Sequence, residues 1–113
     1  MEEKNIALLK TLLNAVNKCI TIYEKFNNIK ELKENKLIFD NLISNLVVIY
    51  ESDSKLDNEL KTTYNFIEWY KIDSYKRQVM SDYHELDTEI ILEILTTQLP
   101  VLKEKLEKLL KNI

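Results

Sequence analysis

Five residues between positions 76 and 84 carry the side chains with which this chain could do chemistry: Lys76, Arg77, Ser81, Tyr83 and His84. His84 is the one imidazole in the sequence, and an imidazole takes or gives a proton near neutral pH. Lys76 and Arg77 are cations able to hold charge that develops on a phosphate. Proton transfer at a phosphate ester needs that division of labour: one group to take the proton of an attacking hydroxyl and one to steady the phosphate. Ser81 cannot fill the first role, because a hydroxyl does not titrate in the useful range. Arg77 and His84, seven residues apart, return to nearly the same face of a helix, about 20° off and about 10 Å along its axis. They would need a substrate or a second chain between them. An exposed histidine without a catalytic task is the other account of His84.

Other chemistries find no support. One Cys and one His leave no common His/Cys metal site, so no metal is expected. The absence of Gly removes any phosphate-cradling loop or dinucleotide fingerprint, so no cofactor is expected. The acidic pairs Glu2-Glu3 and Glu85/Asp87 have no catalytic spacing. Tyr64, Phe66, Trp69, Tyr70 and Tyr75 could stack bases, but the neighbouring Glu68 and Asp73 fit a core or interface role better. With a net charge of −3 and a pI near 5.2 the chain has no general attraction for nucleic acid, so any RNA contact must be local.

The elements that would position these residues are helical. The chain has 113 residues, no Gly, one Pro, 45% hydrophobic and 31% charged residues, which points to one all-α domain spanning 1–113. Ile6, Leu9, Leu13, Val16, Ile20 and Tyr23 recur at spacings of three and four, widened by Leu12, Cys19 and Phe26. They predict a first helix ending near Asn27-Asn28. Cys19 in that stripe is expected to be a small core residue in a reducing compartment. A short charged joint or helical turn over Ile29 to Asn35 leads to a second long helix, roughly Leu37 to Glu51, whose apolar surface exceeds what one partner helix can cover, so that it is either central in the bundle or shared with another chain. Glu51 to Lys55 is the most polar stretch and is expected to be a loop. A short helix over Leu56 to Tyr64 and a longer one from Trp69, with Ile72, Val79 and Tyr83 in register, follow. The last helix starts at Asp87, an N-cap with Glu89 behind it and Leu86 and Ile91 at the staple positions. Pro100 lacks an N–H and crowds the carbonyl of Thr96, so a kink or break is expected between them, with Pro100 at the start of a new helical segment. An apolar line through Leu102, Leu106, Leu109 and Ile113 continues beyond it.

The order Trp69, Ile72, Lys76-Arg77-Gln78-Val79-Met80-Ser81-Asp82-Tyr83, Leu86-Asp87-Thr88-Glu89-Ile90-Ile91 and Leu99-Pro100-Val101-Leu102 resembles the C-terminal half of the HepT-like HEPN proteins. There an Arg, four residues, a His, one residue and a Tyr precede an Ile-Asp helix start and a later Leu-Pro-x-Leu. Asn45-Leu46 resembles a pair on that family's dimer-forming helix. Aligned on Tyr83 and Asp87, the family Arg falls on Lys76 and the family His on Ser81. The resemblance implies an antiparallel four- to five-helix bundle, a homodimer, and a ribonuclease of a toxin-antitoxin pair. Because Lys76 and Ser81 replace the cleaving residues, it also implies weak or absent cleavage. The implied partner is a nucleotidyltransferase antitoxin of the MNT type, with RNA as a further ligand, and Tyr83 matches the tyrosine such a partner modifies with AMP. A tyrosine packing at a helix end is the other account of Tyr83. The start Met1-Glu2-Glu3-Lys4-Asn5 has no signal pattern and no run reaches membrane-spanning length, so a cytoplasmic protein with no membrane segment is expected.

Overall fold

The computed structural model describes residues 1–81 and 87–113, with Met80 and Ser81 placed by their backbone alone. In chain order the helices are α1 (Glu3–Glu24), α2 (Ile29–Glu34), α3 (Lys36–Lys55), α4 (Asn58–Thr63), α5 (Trp69–Ser81) and α6 (Thr88–Glu93). A π-helical turn (Ile94–Gln98) then leads into α7 (Leu99–Lys111). Among the described residues there is no strand, and the architecture is an all-α helical bundle as the composition and periodicity predict.

α1 and α3 form the main seam, with α7 packed on α1 and α5 on α3. Leu9, Leu12, Val16 and Cys19 from α1 meet Leu42, Leu46 and Ile49 from α3, with Leu99, Leu106 and Leu109 from the last helix, all without solvent exposure. The stripe of α1 is rotated from its simplest reading. Leu12 and Cys19 lie at its centre, whereas Ile6, Leu13 and Ile20 are only half-buried. Cys19 is the expected core thiol. Burial alone pushes it up to about 12, leaving it un-ionised at neutral pH.

In the absence of glycine, asparagines punctuate the chain. The side chain of Asn28 accepts from Glu31 N–H at 2.9 Å and starts α2, and that of Asn35 accepts from Ile38 N–H at 3.3 Å and starts α3. Asp87 caps α6 as expected, accepting from Glu89 N–H at 2.9 Å. Staple residue Leu86 lies outside the described residues.

One expectation is corrected and another takes a specific form. Glu51 to Lys55 is not a loop: α3 runs through it to Lys55, and the chain turns extended only at Leu56. Polarity misleads here because Ser52 and Asp53 point inward, 5% and 0% exposed, while Ser54 Oγ donates back to Glu51 O at 2.7 Å. The disturbance expected before Pro100 takes the form of the π turn, and Pro100 stands at the start of α7 as expected, without an interruption of the helical path. Gln98 and Leu99 keep helical dihedrals, and Leu99 N–H donates to Ile94 O, five residues back. The extra residue in the π turn makes room for the proline ring without ending the helix.

Candidate functional site

The motif helix α5 is held along one inward face. Trp69 is 8% exposed and donates its indole N–H to Tyr64 O at 3.2 Å. Ile72 and Val79 are 2% and 1% exposed and form the inward stripe. Lys76, one turn beyond Ile72, is half-buried at the edge of that stripe, and Arg77 is exposed. Position 81 is the last of α5 and is nine residues from Ile72, which on a regular helix is about 180° away. Lys76 and position 81 are therefore about 140° apart around one continuous helix. The two backbone positions thus lie on different faces of that helix. Tyr83 and His84 lie outside the described residues, so the Arg77/His84 pair and the surroundings of Tyr83 have no geometry here.

Below α5 sits a group of charges that periodicity did not reveal. Asp53, at the C-terminal end of α3, is fully buried, and Lys61 Nζ of α4 lies 3.1 Å from its Oδ1. Neither oxygen of Asp53 receives a well-aligned hydrogen bond. Burial raises the Asp53 carboxyl from 3.8 to about 6; Lys61 works against that rise, and the Asp73 carboxyl of α5 adds to it. The ammonium of Lys61 also stands 5.6 Å from the Trp69 ring centroid. One lysine thus joins the end of α3, α4 and the start of the motif helix. Asn5, 4% exposed near the start of α1, adds a second polar tie by donating to Asp57 Oδ2 at 3.0 Å. The signal for Asp53 was present as an acid seven residues beyond Leu46 and four beyond Ile49, on the apolar line of α3.

On the other side of α5 a cavity of about 160 Å³ opens between that helix and the π turn with the start of α7. Buried Ile67, Ile72 and Leu102 supply its apolar side. At its edge Glu68 gathers three partners: Tyr70 Oη donates at 2.7 Å, Lys71 Nζ stands at 3.1 Å and Lys105 Nζ at 3.7 Å. The Tyr70 and Lys71 hydrogen bonds hold the Glu68 carboxyl below its ordinary value. Tyr75 is pushed up by burial and by its hydrogen bond to Glu93. Gln98, in the π turn, also lines the cavity, and both its amide nitrogen and oxygen are shielded from solvent without a hydrogen-bond partner. The sequence marked this place only through the expected disturbance before Pro100.

Among the described residues no cluster of three His, Cys, Asp or Glu side chains could hold a metal ion. No helix of the described residues is long and apolar enough to cross a membrane. The sequence model of a family described as Ribonuclease HepT-like matches residues 12–109. No match was found among curated proteins or among solved structures.

Proposed function

The chain belongs to the HepT-like ribonuclease family, and from that premise we propose that it is the HepT-like HEPN member of a toxin-antitoxin pair in which RNA cleavage is weak or absent. One observation carries the reading: Lys76 and Ser81 occupy the positions that align with the family's Arg and His. Lysine offers a point charge where the guanidinium offers a two-pronged grip on phosphate. Serine offers no group that titrates near neutrality. The 140° between these positions adds a requirement for a second copy, because only symmetry-related α5 helices can bring a cation and a base to one phosphate. The working unit is accordingly a homodimer that uses α3 and α5.

A second reading, a non-catalytic partner of an MNT-type nucleotidyltransferase, is favoured by Tyr83, which stands where the family's modified tyrosine stands while the cleaving pair has gone. Both readings place the protein in the cytoplasm.

The test is cleavage of total RNA and tRNA without metal by the wild type and by Lys76→Arg/Ser81→His. Activity in the double variant alone is the expected result. Activity in the wild type that is lost in His84→Ala would overturn it and assign the chemistry to Arg77 and His84.

A further inference from the structure

The groove between α1 and α3 carries side chains that neither the motif helix nor the core uses. Lys18 and Thr21 of α1, with Lys25 at its C-terminal cap, stand across it from Asn41, Ser44 and Asn45 of α3, and no acid lines it. Among the described residues no carboxylate pairs with Lys18 or Lys25, whereas Lys61, Lys71 and Lys105 are all engaged. The bias extends along α1, which holds no acid between Glu3 and Glu24 although the chain as a whole has more acids than cations. Unpaired cations gathered on one side of a net acidic chain favour a polyanion at that place alone. Lys18 and Lys25, seven residues apart, lie on nearly one line and about 10 Å apart along it, so an extended anionic backbone in the groove meets both. The groove has a volume of about 490 Å³, roughly three times what holds one benzene-sized ring, which is room for a length of chain.

The neutral groups narrow the chemistry further. Asn45 Nδ2 donates to Asn41 O at 2.9 Å and to Asn41 Oδ1 at 3.2 Å. These bonds fix both amides and leave Asn41 Nδ2 to donate and Asn45 Oδ1 to accept, on an exposed and a half-buried side chain. A donor beside an acceptor complements a ribose 2′-hydroxyl, which both gives and takes a hydrogen bond. The hydroxyls of Thr21 and Ser44 complement phosphate oxygens. A membrane surface or an amphipathic partner helix would instead call for apolar anchors among the cations. Thr11, Asn14 and Thr21, exposed on α1 among its lysines, offer none.

We propose that this groove is a docking track for the sugar-phosphate backbone of RNA, in which Lys18 and Lys25 neutralise phosphates and the Asn41-Asn45 pair reads a 2′-hydroxyl. The track is separate from the motif helix. Tyr50, whose phenol interacts electrostatically with Tyr75 of α5, is nine residues from Asn41 and so about 180° away around α3. The groove and α5 therefore flank α3 on opposite sides, and the track grips RNA away from Lys76 and Arg77. The inference rests on the reading of the chain as an RNA-handling protein, but it does not depend on cleavage.

The experiment is fluorescence-anisotropy titration of the full chain, over a range of salt, with a labelled single-stranded uridine oligomer, its 2′-deoxy counterpart and a polyglutamate peptide of equal charge. The RNA is expected to bind about five-fold more tightly than the deoxy strand, the size of one hydrogen bond. Lys18→Gln/Lys25→Gln is expected to weaken RNA binding about ten-fold at low salt and to reduce the salt slope by about 1.4, the counterion release of two phosphates of a single strand. Lys108→Gln/Lys111→Gln, the same change of charge on α7, is expected to leave both unchanged. Asn45→Ala is expected to bring RNA down to the level of the deoxy strand while the salt slope and the melting temperature hold, because alanine suits a helix surface. No measurable binding, equal weakening by the α7 pair, a preference for RNA that survives Asn45→Ala, or equal affinity for polyglutamate would overturn the assignment. So would a loss of oligomeric state in Lys18→Gln/Lys25→Gln on sedimentation, which would make the groove an interface between copies. Lys76→Arg/Ser81→His is expected to bind RNA as the wild type does. Failure of that variant to cleave, with the groove variants behaving as expected, would count against the cleavage reading alone. Cleavage by it, with groove variants that bind like the wild type, would remove the track alone.

Discussion

The seam between α1 and α3 and the joint between α3, α4 and α5 solve the same packing problem with different materials. In the first, leucines, isoleucines, valine and Cys19 meet without solvent and with few polar atoms. In the second, one buried carboxylate, one lysine and one tryptophan hold the motif helix. Apolar burial involves no titrating group, so the first seam acts as a frame that pH does not alter. A buried ion pair is not indifferent, since the charges lose hydration that their attraction only partly returns. The helix bearing the motif is thus the one whose anchoring responds to protonation.

The largest effect that would test this contrast is Leu46→Ala. Leu46 is fully buried on α3, and truncating such a residue costs about 2–5 kcal/mol. The loss, read from urea or thermal unfolding, is expected to be the same at pH 5 and pH 8. A loss that varied with pH would show that the two regions are not energetically separate.

Lys61→Met comes next. It keeps the volume of the stem but leaves Asp53 buried without its counter-charge, a change worth about 3 kcal/mol when the carboxylate is ionised. At pH 8 that penalty should appear nearly in full. At pH 5, below the folded value of about 6, Asp53 is largely protonated and the penalty should shrink. Asp53→Asn gives the complementary result. The folded carboxyl sits above its ordinary 3.8, so the folded state binds the proton more tightly than the unfolded state. Its contribution to stability is full below about 3.8 and is lost as the pH rises through about 6. Wild-type stability should therefore fall over that window, and Asp53→Asn should flatten the fall and add about 1–2 kcal/mol at pH 8. A wild type that gains stability as the pH rises from 4 to 7, with the gain lost in Asp53→Asn, would reverse the assigned direction.

The contrast also explains what could be read from the residues in advance. The apolar frame announced itself by spacing: Leu9, Leu12, Val16 and Cys19 on α1, and Leu102, Leu106 and Leu109 on α7, have no other physical use for that period. The family showed in the order of Trp69, Ile72 and Leu99-Pro100. What spacing could not show was a charge turned inward. Asp53 lies among Glu51, Ser52, Ser54 and Lys55, and five polar residues in a row suggest a loop whenever their partners are far along the chain. Lys61 and Asp73 supply those partners, eight and twenty residues later. The cavity escaped for a related reason. Its walls come from α5 and α7, and the π turn that opens it forms because a proline at 100 must be accommodated within a helix that otherwise continues.

The smallest effect is the sharpest test of the joint, and it concerns Asp73. This side chain is exposed on α5, yet it acts on Asp53 in the direction that raises its pKa, opposing Lys61. Asp73→Asn removes that opposition and leaves every apolar contact of the motif helix unchanged. The folded carboxyl of Asp53 should then titrate below about 6, and the pH window over which stability declines should shift to more acidic values. Because Asp73 faces solvent, its influence is partly screened, so the gain in stability at pH 8 should stay under about 1 kcal/mol and diminish with added salt. Carbon-detected NMR of the Asp53 carboxyl measures the shift directly. If its midpoint does not move, the two carboxyls are independent and the pH response belongs to Asp53 and Lys61 alone. If it moves down, the motif helix itself takes part in the titration. Protonation at the buried end of α3 is then felt one turn from Lys76 and Arg77, the cations of the candidate site.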